Sequence, residues 1–335
     1  MLNKPRRQVR KIAVFPLGNI NVPSSRLRIL RYKKMFENLG IKFLIFYEEP
    51  ITYAEKLVNI FHFITADLLF VQKRIFTGKK NLLSKIFNKK VVFDIDDAIY
   101  VDQKTGLVNE KELNKLLKFV SSCRLVVVGN SNLGATLLPY SQKQLTMITL
   151  PVNSSKPHPH KIFNNIRIGW IGTKHNLPYL EELKSVFVQL QRKYQFDLVV
   201  ICSDKPTSFN DIKYTFIKWN LDVDMNISRY FDVGIMPLPD NRWTRGKCGY
   251  KILQYYSFGL PVIASPVGVN RELVIEHEIG FLAGTVDKWY EYLELFIRNP
   301  DIVPRMSVDV SEHFLNNYSS SKQFQLLLDN MNELL

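Results

Sequence analysis

The sequence predicts an α/β protein with two doubly wound parallel sheets, and three observations lead to this prediction. Apolar, strand-like runs alternate with helical patterns along all 335 residues, as in successive β-α-β units. The segment 153–160 has no periodicity and contains two prolines, so it marks a linker. The first 152 residues carry 25 Lys and Arg against 11 Asp and Glu, whereas residues 153–335 carry 20 of each, so the two halves differ in charge.

We expect an N-terminal Rossmann-like domain over residues 1–155 and a C-terminal one over residues 156–335, whose last helix can pack back on the first domain. The strands are short apolar runs, and the helices show apolar residues three and four positions apart. The predicted strands are 11–17, 41–47, 67–72, 90–94, 124–128 and 145–151, then 166–171, 197–202, 213–217, 232–237, 261–265 and 280–283. The predicted helices are 25–39, 53–63, 79–87, 109–120 and 131–139, then 177–193, 225–230, 250–258, 269–275, 285–298 and 321–334.

Composition excludes several classes of protein. A hydrophobic content of 46% with 23% charged residues is typical of a folded globular chain. The three cysteines are far apart and form no CxxC, so we expect neither a zinc site nor a disulfide framework, and we expect a reducing, cytoplasmic compartment. No run approaches the ~20 apolar residues of a membrane span, and the short run 12–18 indicates a first strand rather than a secretion signal.

Three carboxylates, Asp94, Asp96 and Asp97, follow an apolar strand within four residues. Ligands of doubly wound sheets bind at the carboxyl ends of strands, so the cluster lies where a site is expected. Like charges so close repel unless they bind a proton, a cation or a hydrogen-bond donor, which favours a functional cluster. Two alternatives stay open. In the first, Asp96 or Asp97 caps the next helix. In the second, the Asp-x-Asp pattern, which resembles the nucleophile motif of haloacid-dehalogenase phosphatases, supplies a nucleophile, although Ala98 departs from the pattern of that family.

A second candidate site is the loop 237–249 with the start of the next helix. It holds four cations within ten residues, namely Arg242, Arg245, Lys247 and Lys251. We expect Lys247 and Lys251, four residues apart, to share a face at the start of that helix, where free N–H groups and the helix dipole attract anions. The loop therefore predicts a diphosphate clamp, and the alternative is a solvated basic loop.

A third candidate is the turn after the strand 261–265. Residues 261–273 read as a strand, a tight turn and a helix start, so the backbone N–H groups of Gly268, Val269 and Asn270 can cradle a phosphate. The alternative is an ordinary turn.

A fourth candidate is the turn after the strand 166–171. Gly172 ends that strand, and Thr173 and Lys174 follow it as residues that can face a ligand. The first loop of the N-terminal half has the same layout, and Arg26 is the residue there that is best placed to meet a ligand.

Residues 79–90 contain five lysines set against an apolar group at positions 82, 83, 86 and 87. A basic amphipathic helix of this kind suits an anionic membrane surface, and would place the protein peripherally on the inner face of the plasma membrane. The alternative is an ordinary β-α-β helix with an apolar stripe facing the core and a solvated lysine face.

The chain, most strongly over 230–284, resembles family 4 glycosyltransferases of the GT-B fold. The residues that carry the resemblance are Asp232, Met236, Pro237, Lys247, Lys251, Gln254–Ser265, Gly268, Glu272, Gly280 and Phe281, with supporting pieces at Ser24–Arg28, Asp94–Asp97 and Gly169–Gly172. The resemblance implies two Rossmann-like domains facing across a cleft, with the acceptor on the N-terminal domain and a nucleotide-diphosphate sugar on the C-terminal one. It also implies sugar transfer with retention at the anomeric carbon, without a metal or another cofactor.

The resemblance assigns roles to residues, with one departure. The family's Glu-x7-Glu motif has Gly246 and Gln254 in its two Glu positions here, and Gln254 can still accept hydrogen bonds from ribose hydroxyls. Glu272 is implied to contact the donor. The residues implied to stabilise the leaving diphosphate are Lys247, Lys251 and Arg245. The Asp94–Asp97 cluster stands in place of the His of many relatives and supplies charge or accepts a proton.

These expectations predict a hexosyltransferase-like glycosyltransferase. It moves a sugar from a nucleotide-sugar donor to a hydroxyl of a glycan or lipid-linked acceptor in cell-surface polysaccharide synthesis. The charge excess lies within the first ninety residues and points to an anionic membrane or lipid phosphate rather than to nucleic acid, since no nucleic-acid-binding module is recognisable. The alternatives are a catalytically degenerate GT-B-like subunit, because the Glu-x7-Glu motif is incomplete, and a polyanion-binding protein.

Overall fold

A computed structural model of the chain describes residues 8–47, 52–151 and 165–335, and it divides the chain into two compact units. Unit 1 consists of Met1–Leu150, Gly246–Cys248 and Ser319–Leu335. Unit 2 consists of Pro151–Arg245 and Gly249–Tyr318. The predicted linker 153–160 lies outside the described residues.

The described part of unit 1 is built on a six-stranded parallel sheet. Its strands are β1 (Lys11–Phe15), β2 (Lys42–Ile45), β3 (Leu68–Gln72), β4 (Lys90–Ile95), β5 (Leu125–Val128) and β6 (Gln144–Thr146), in the spatial order β2-β1-β3-β4-β5-β6. Its helices are α1 (Pro23–Arg28), α2 (Lys33–Asn38), α3 (Tyr53–Thr65), α4 (Gly78–Ile86), α5 (Glu110–Val120), α6 (Ser131–Leu137) and, near the C-terminus, α15 (Ser320–Asn332).

Side chains that alternate along these strands form an apolar layer on each face of the sheet. On one face, Phe70 lies in a core cluster with Phe36 of α2 and Leu327 of α15. On the other face, Phe93 of β4 contacts Phe119 of α5, with ring centroids 5.2 Å apart. The crossovers through α3, α4 and α5 advance in the same direction across the sheet, so right-handed connections place these three helices side by side on this second face.

The described part of unit 2 contains a second parallel sheet of six strands. They are β7 (Arg167–Ile171), β8 (Asp197–Cys202), β9 (Thr215–Lys218), β10 (Val233–Met236), β11 (Val262–Ala264) and β12 (Gly280–Leu282), in the order β9-β8-β7-β10-β11-β12. The helices are α7 (Leu177–Glu181), α8 (Lys184–Lys193), α9 (Leu221–Asp224), α10 (Arg242–Arg245), α11 (Tyr250–Tyr256), α12 (Asn270–Leu273), α13 (Val286–Arg298) and α14 (Ile302–Asn317). The chain changes direction across the sheet between β7 and β10, and ligands of such sheets bind at the carboxyl ends beside this switch point.

The predicted α/β class, with a parallel sheet in each half, is confirmed, while several helices differ from the prediction. The predicted helix 177–193 is divided into α7 and α8, and the predicted helix 225–230 overlaps no α-helix. The predicted helix 25–39 is broken at Ile29, where φ is −133° and the chain leaves the helical region. The sequence does not predict α14, because Pro304 and three valines disfavour a helix interior; Pro304 is tolerated since it lies in the first turn. No helix within the described ranges is both long and apolar enough to cross a bilayer.

Candidate functional site

Asp94 is the most enclosed of the three predicted carboxylates, with 1% of its surface exposed, and Arg28 holds it. Nε of Arg28 donates to both oxygens of Asp94 at 3.0 Å, and Nη2 donates to Oδ1 at 2.6 Å. Nε2 of Gln72 donates to Oδ2 at 3.0 Å. Burial acts to lower the pKa of Arg28, but the charge and hydrogen bonds of Asp94 outweigh it and raise that pKa above its usual value. Asp94 therefore anchors the end of β4.

Arg28 also binds the segment that follows β6. Its Nη1 donates to the carbonyl of Met147 at 2.7 Å and to Oγ1 of Thr149 at 2.9 Å. Arg26, the residue expected to meet a ligand in this loop, is buried, and its Nη1 donates to the carbonyl of Ile20 at 3.0 Å. Of the two arginines of α1, Arg28 is thus the one that meets the carboxylate cluster.

No sequence pattern singles out Lys73, yet it is the second cation of the cluster. It follows β3 with a left-handed backbone, at φ 52°. Its Nζ lies 2.5 Å from Oδ1 of Asp96 and 2.5 Å from Oδ2 of Asp97, and it donates to Oγ of Ser24 at 3.0 Å. Burial acts to lower the pKa of Lys73, but the two carboxylates raise it above its ordinary value. The signal in the sequence that could have pointed to Lys73 is electrostatic, because three adjoining carboxylates require cations from neighbouring strands.

Asp96 and Asp97 share Lys73 but differ in accessibility, since their side chains are 5% and 32% exposed. Burial acts to raise the pKa of Asp96, but Lys73 and then Arg28 hold it below its usual value, so Asp96 is ionised. Of the three carboxylates, Asp97 is therefore the one that a substrate can reach.

The segment Gly246–Cys248 belongs to unit 1, and Asn130 binds it. Nδ2 of Asn130 donates to the carbonyls of Gly246 at 2.8 Å and Lys247 at 3.0 Å, while its Oδ1 caps the first turn of α6 at 2.8 Å. Burial lowers the pKa of Lys247, and the charge of Asp97 opposes that shift. The structure thus brings Lys247 to the carboxylate cluster. The sequence shows the cap position of Asn130 but not its distant partners.

The prediction that Lys247 and Lys251 share a helical face is wrong. The helix α11 begins at Tyr250, and Gly249 before it has a left-handed backbone at φ 65°. Lys247 lies before the helix and in unit 1, whereas Lys251 lies in the first turn of α11 and in unit 2. Position 249 requires glycine, because an added Cβ would come within 2.3 Å of Cδ1 of Leu273 and φ is positive.

Lys251 is held by two buried side chains beside the loop that follows β10. Its Nζ donates to Oε1 of Gln254 at 2.8 Å and lies 3.9 Å from Oδ1 of Asp224. Nε2 of Gln254 donates to the carbonyl and to Oδ1 of Asp224 at 3.0 and 3.1 Å. Gln254, expected at the ribose, is buried with both amide atoms engaged, so in this structure it positions Lys251.

Arg245, expected at the diphosphate, is exposed and pairs with Asp240. Its Nε lies 2.6 Å from Oδ1 of Asp240, and its Nη2 donates to Oδ2 at 3.1 Å. The turn after β11 packs against the backbone of Arg245. At Gly268, where φ is 53°, an added Cβ would lie 2.8 Å from the carbonyl oxygen of Arg245. The structure therefore brings two predicted segments of unit 2 together.

The cradle of three amides predicted at 268–270 is incomplete. The backbone N–H of Asn270 donates to the carbonyl three residues earlier at 3.2 Å, and its Nδ2 donates to the carbonyl of Ser265 at 3.0 Å. The prediction for the Asn270 amide is therefore wrong, because this buried residue closes the turn. Val269 precedes α12 and is buried, whereas Glu272 is exposed in the first turn of α12.

The turn after β7 lies beside the switch point of unit 2. The N–H of Gly172 donates to the carbonyl of Ile201 at 3.1 Å, so this turn is held to β8. Thr173 and Lys174 follow as exposed residues. Nζ of Lys174 lies 3.4 Å from Oδ1 of Asp204, which is also exposed, and such a surface pair is weak enough to exchange for a ligand.

Each unit thus presents polar side chains at the carboxyl edge of its own sheet. In unit 1, the accessible carboxylate Asp97 pairs with Lys73, its charge acts on the pKa of Lys247, and it can accept hydrogen bonds or stabilise positive charge. In unit 2, Lys251 is a fixed cation that can bind an anion. Among the residues that the structure describes, no three His, Cys, Asp or Glu side chains converge as metal ligands.

No protein-family model matches the chain, and no curated protein matches it either. Solved structures match it over nearly its whole length. HepE from Anabaena, in complex with UDP, is 12% identical with a TM-score of 0.66, and the match covers 97% of this chain and 100% of that one. Sucrose-phosphate synthase from Thermosynechococcus elongatus is 14% identical with a TM-score of 0.71, covering 97% and 99%. The lipopolysaccharide outer core galactosyltransferase WaaB is 10% identical with a TM-score of 0.56, covering 97% and 100%. The chain therefore has the α/β fold of the GT-B glycosyltransferases, with one parallel sheet in each of its two units.

Proposed function

We propose that the protein is a glycosyltransferase that moves a sugar from a nucleotide-diphosphate sugar to a hydroxyl of an acceptor. The observation that carries the proposal is Lys251, an ammonium held by Gln254 and Asp224 at the carboxyl edge of a doubly wound sheet. A cation fixed in advance stabilises a leaving diphosphate without having to reorganise. The structure of HepE with UDP-glucose supports a nucleotide-sugar donor, since that protein has the same fold.

We assign the donor to unit 2. Lys251 meets the diphosphate, and Lys174 and Arg245 exchange their exposed carboxylate partners for it. The turn at Gly268 lies against Arg245 and adds backbone N–H groups, while Glu272 in the same turn region contacts the donor. Gln254 acts through Lys251, because its own amide is buried.

We assign the acceptor and the carboxylate chemistry to unit 1. Asp97 stabilises positive charge at the reacting carbon or accepts the proton of the acceptor hydroxyl, since it is the accessible carboxylate of its cluster. Lys247, desolvated next to Asp97, supplies a further cation for the leaving group. Asp94 and Asp96 act by holding the end of β4 and the position of Lys73.

The finer assignments rest on the resemblance to family 4 and on WaaB. We propose retention at the anomeric carbon, a hexose donor, no metal or other cofactor, and a glycan or lipid-linked acceptor of a cell-surface polysaccharide. An acceptor carried on a lipid phosphate would bring the protein to the inner face of a membrane, and it matches the charge excess of the first ninety residues.

The test is a thermal-shift screen of nucleoside diphosphates, because a ligand that binds only the folded state raises the melting temperature. We expect the nucleoside diphosphate of one particular base to raise the melting temperature of the wild type. We also expect the nucleotide-sugar of the same base to release its nucleoside diphosphate when acceptor is added. The variant Lys251→Ala loses the shift, whereas Lys288→Ala, which changes an exposed lysine of α13, keeps it. If no nucleoside diphosphate shifts the wild type, the proposal is wrong.

A degenerate GT-B-like subunit is the second candidate, and a specific observation favours it. The two motif positions that carry Glu in the family are Gly246 and the buried Gln254, so no carboxylate occupies either. This candidate predicts nucleotide binding without turnover. Diphosphate release from the bound nucleotide-sugar distinguishes the two.

A further inference from the structure

Helix α3 exposes apolar side chains on its solvent side. The exposed fractions are 55% for Leu57, 51% for Val58, 46% for Ile60 and 60% for Phe61. Leu57 and Phe61 are one turn apart, so they lie on the same side of the helix. Single exposed apolar residues are ordinary, but four within five residues of one helix form a patch that marks an interaction surface.

Helix α4 continues this patch. Leu82, Ile86 and Phe87 are 57%, 63% and 40% exposed, whereas Ser84 between them is buried. The alternative interpretation of 79–90, in which the apolar stripe faces the core, is therefore wrong for these three residues. The side chains of residues 79–81 and 83 lie outside the described part of the chain.

The two helices are neighbours on one face of the sheet. Nζ of Lys89, just after α4, donates to the carbonyls of Ile64 and Ala66 at the end of α3. We name the exposed apolar set the α3–α4 surface, and its members are Leu57, Val58, Ile60, Phe61, Leu82, Ile86 and Phe87.

A basic groove adjoins the α3–α4 surface on the side of α5. It consists of two cavities of about 320 and 260 Å³ that share Lys85, Phe119 and Ser122. Its cations are Lys85, Lys89, Lys115, Lys118 and Arg124. Glu112 pairs with Lys115, but Lys85 and Lys118 have no ion pair among the described residues. The groove therefore keeps positive charge available next to exposed apolar side chains.

We propose that the α3–α4 surface docks on an anionic lipid bilayer and that the basic groove binds phosphates of its headgroups. Apolar side chains at this density enter the boundary between headgroups and acyl chains, while neighbouring lysines bind the anionic surface. The docking does not depend on the proposed sugar transfer. The loop from Lys73 to α4 connects the docking face to the carboxylate cluster, so a bilayer-bound acceptor would arrive at the same unit.

The charge pattern favours a bilayer over two other occupants. Residues 68–93 contain seven Lys and Arg and no Asp or Glu, and residues 56–65 of α3 contain no acidic residue either. A second copy of the chain would bring two such surfaces together by symmetry, and their like charges would repel. An ordinary protein interface depletes lysine, whereas an anionic bilayer attracts it.

The test is co-sedimentation of the full chain with vesicles of phosphatidylcholine alone and of equal parts phosphatidylcholine and phosphatidylglycerol. We expect binding to the mixed vesicles only, reduced at least tenfold by Leu57→Ser with Phe61→Ser and by Leu82→Ser with Ile86→Ser. Lys85→Ala with Lys118→Ala should reduce binding and its dependence on salt. The matched controls are Leu326→Ser and Lys322→Ala, which change exposed residues of α15 on the opposite face of the same sheet.

Melting temperature and nucleotide thermal shift are measured on every variant, so a loss of folding or of donor binding is seen separately. The proposal is overturned if the wild type stays in the supernatant with the mixed vesicles, or if the α15 variants lose as much binding as the α3 and α4 variants. It is also overturned if light scattering shows a dimer of the wild type that Leu57→Ser with Phe61→Ser dissociates, since a second copy would then cover the surface.

Discussion

Nζ of Lys73 lies 2.5 Å from Oδ2 of Asp97, in an ion pair whose lysine is 6% exposed and whose carboxylate is 32% exposed. The same ammonium lies 2.5 Å from the enclosed Asp96, so one cation serves a buried and an accessible carboxylate. Lys73 follows β3 and Asp97 follows β4, and the pair therefore joins the ends of two neighbouring strands. Changes at Lys73 are expected to affect both the stability of unit 1 and the position of Asp97.

Lys73→Met is expected to destabilise the protein strongly. The substitution removes the nearest counter-ion of a buried carboxylate, and breaking a buried pair from one side costs about 3–5 kcal/mol. Urea denaturation measures the loss. Lys104→Met, an exposed lysine of unit 1, is the control and should change the unfolding free energy by under about 0.5 kcal/mol. Equal stability of the two variants would contradict the role of Lys73.

The effect of Lys73→Met should depend on pH. In the wild type, burial opposes Lys73 and Arg28, yet the pKa of Asp96 remains below its unfolded value of 3.8. Asp96 therefore contributes stability above that pH and loses it as the pH falls through the folded pKa. In the variant, burial raises the pKa of Asp96, so the neutral acid relieves the unpaired charge. We expect the difference in unfolding free energy between wild type and variant to be largest near neutral pH and to shrink below about pH 5. A difference that is constant with pH would mean that Asp96 does not respond to Lys73.

The two arginines of α1 offer a matched comparison. Arg28→Lys keeps the charge but loses the forked contact with Asp94 and the bonds to Met147 and Thr149, so we expect a loss of about 2–3 kcal/mol. Arg26→Lys keeps a cation that can donate to the carbonyl of Ile20 and should cost less than about 1 kcal/mol. Thermal unfolding of both variants checks the order, and a larger loss in Arg26→Lys would contradict it.

Two variants of the network around Lys251 test ligand binding and folding separately. Lys251→Ala removes a half-buried cation, and we expect the Kd for the nucleoside diphosphate to rise at least tenfold, about 1.4 kcal/mol, with little change in melting temperature. Gln254→Leu removes the side-chain donor to the buried carbonyl of Asp224 and one of the donors to its Oδ1, so it should lower stability by about 1–3 kcal/mol as well as affinity. Calorimetric titration and thermal unfolding together test this, and an unchanged Kd in Lys251→Ala would contradict the donor assignment.

Gly268→Ala is expected to destabilise unit 2 through a close approach. At Gly268 an added Cβ would lie 2.8 Å from the backbone oxygen of Arg245, whereas at Gly40 nothing lies within 4 Å, although φ is positive at both positions. Gly40→Ala therefore measures the backbone strain alone, about 1 kcal/mol. Gly268→Ala should exceed it by about 1 kcal/mol or more, because backbone atoms must move. Equal melting temperatures for the two variants would show that the turn at Gly268 accommodates the added Cβ without a further loss of stability.

The sequence predicts both sheets because parallel strands are buried on both faces and therefore read as continuous apolar runs. The carboxylates are predictable for the same reason, since Asp94, Asp96 and Asp97 interrupt such a run at its end. Their partners are not, because Arg28 and Lys73 are 66 and 24 residues away along the chain and reach the cluster through the fold. The prediction that Lys247 and Lys251 share a helical face was wrong, although the sequence contains a local signal against it. Gly249 lies between them, and a glycine there can end a loop and start a helix.

Unit 1 is completed by the end of the chain, since Phe324, Leu327 and Met331 of α15 lie in its core cluster. A ribosome that releases residues in order therefore delivers every segment of unit 2 before it delivers the last apolar layer of unit 1. Until then the face of the first sheet around Phe70 has α2 to cover it but lacks α15. Domains generally fold from the N-terminus onward during synthesis. Here the first sheet to be translated receives its last helix only after the whole second sheet has been made.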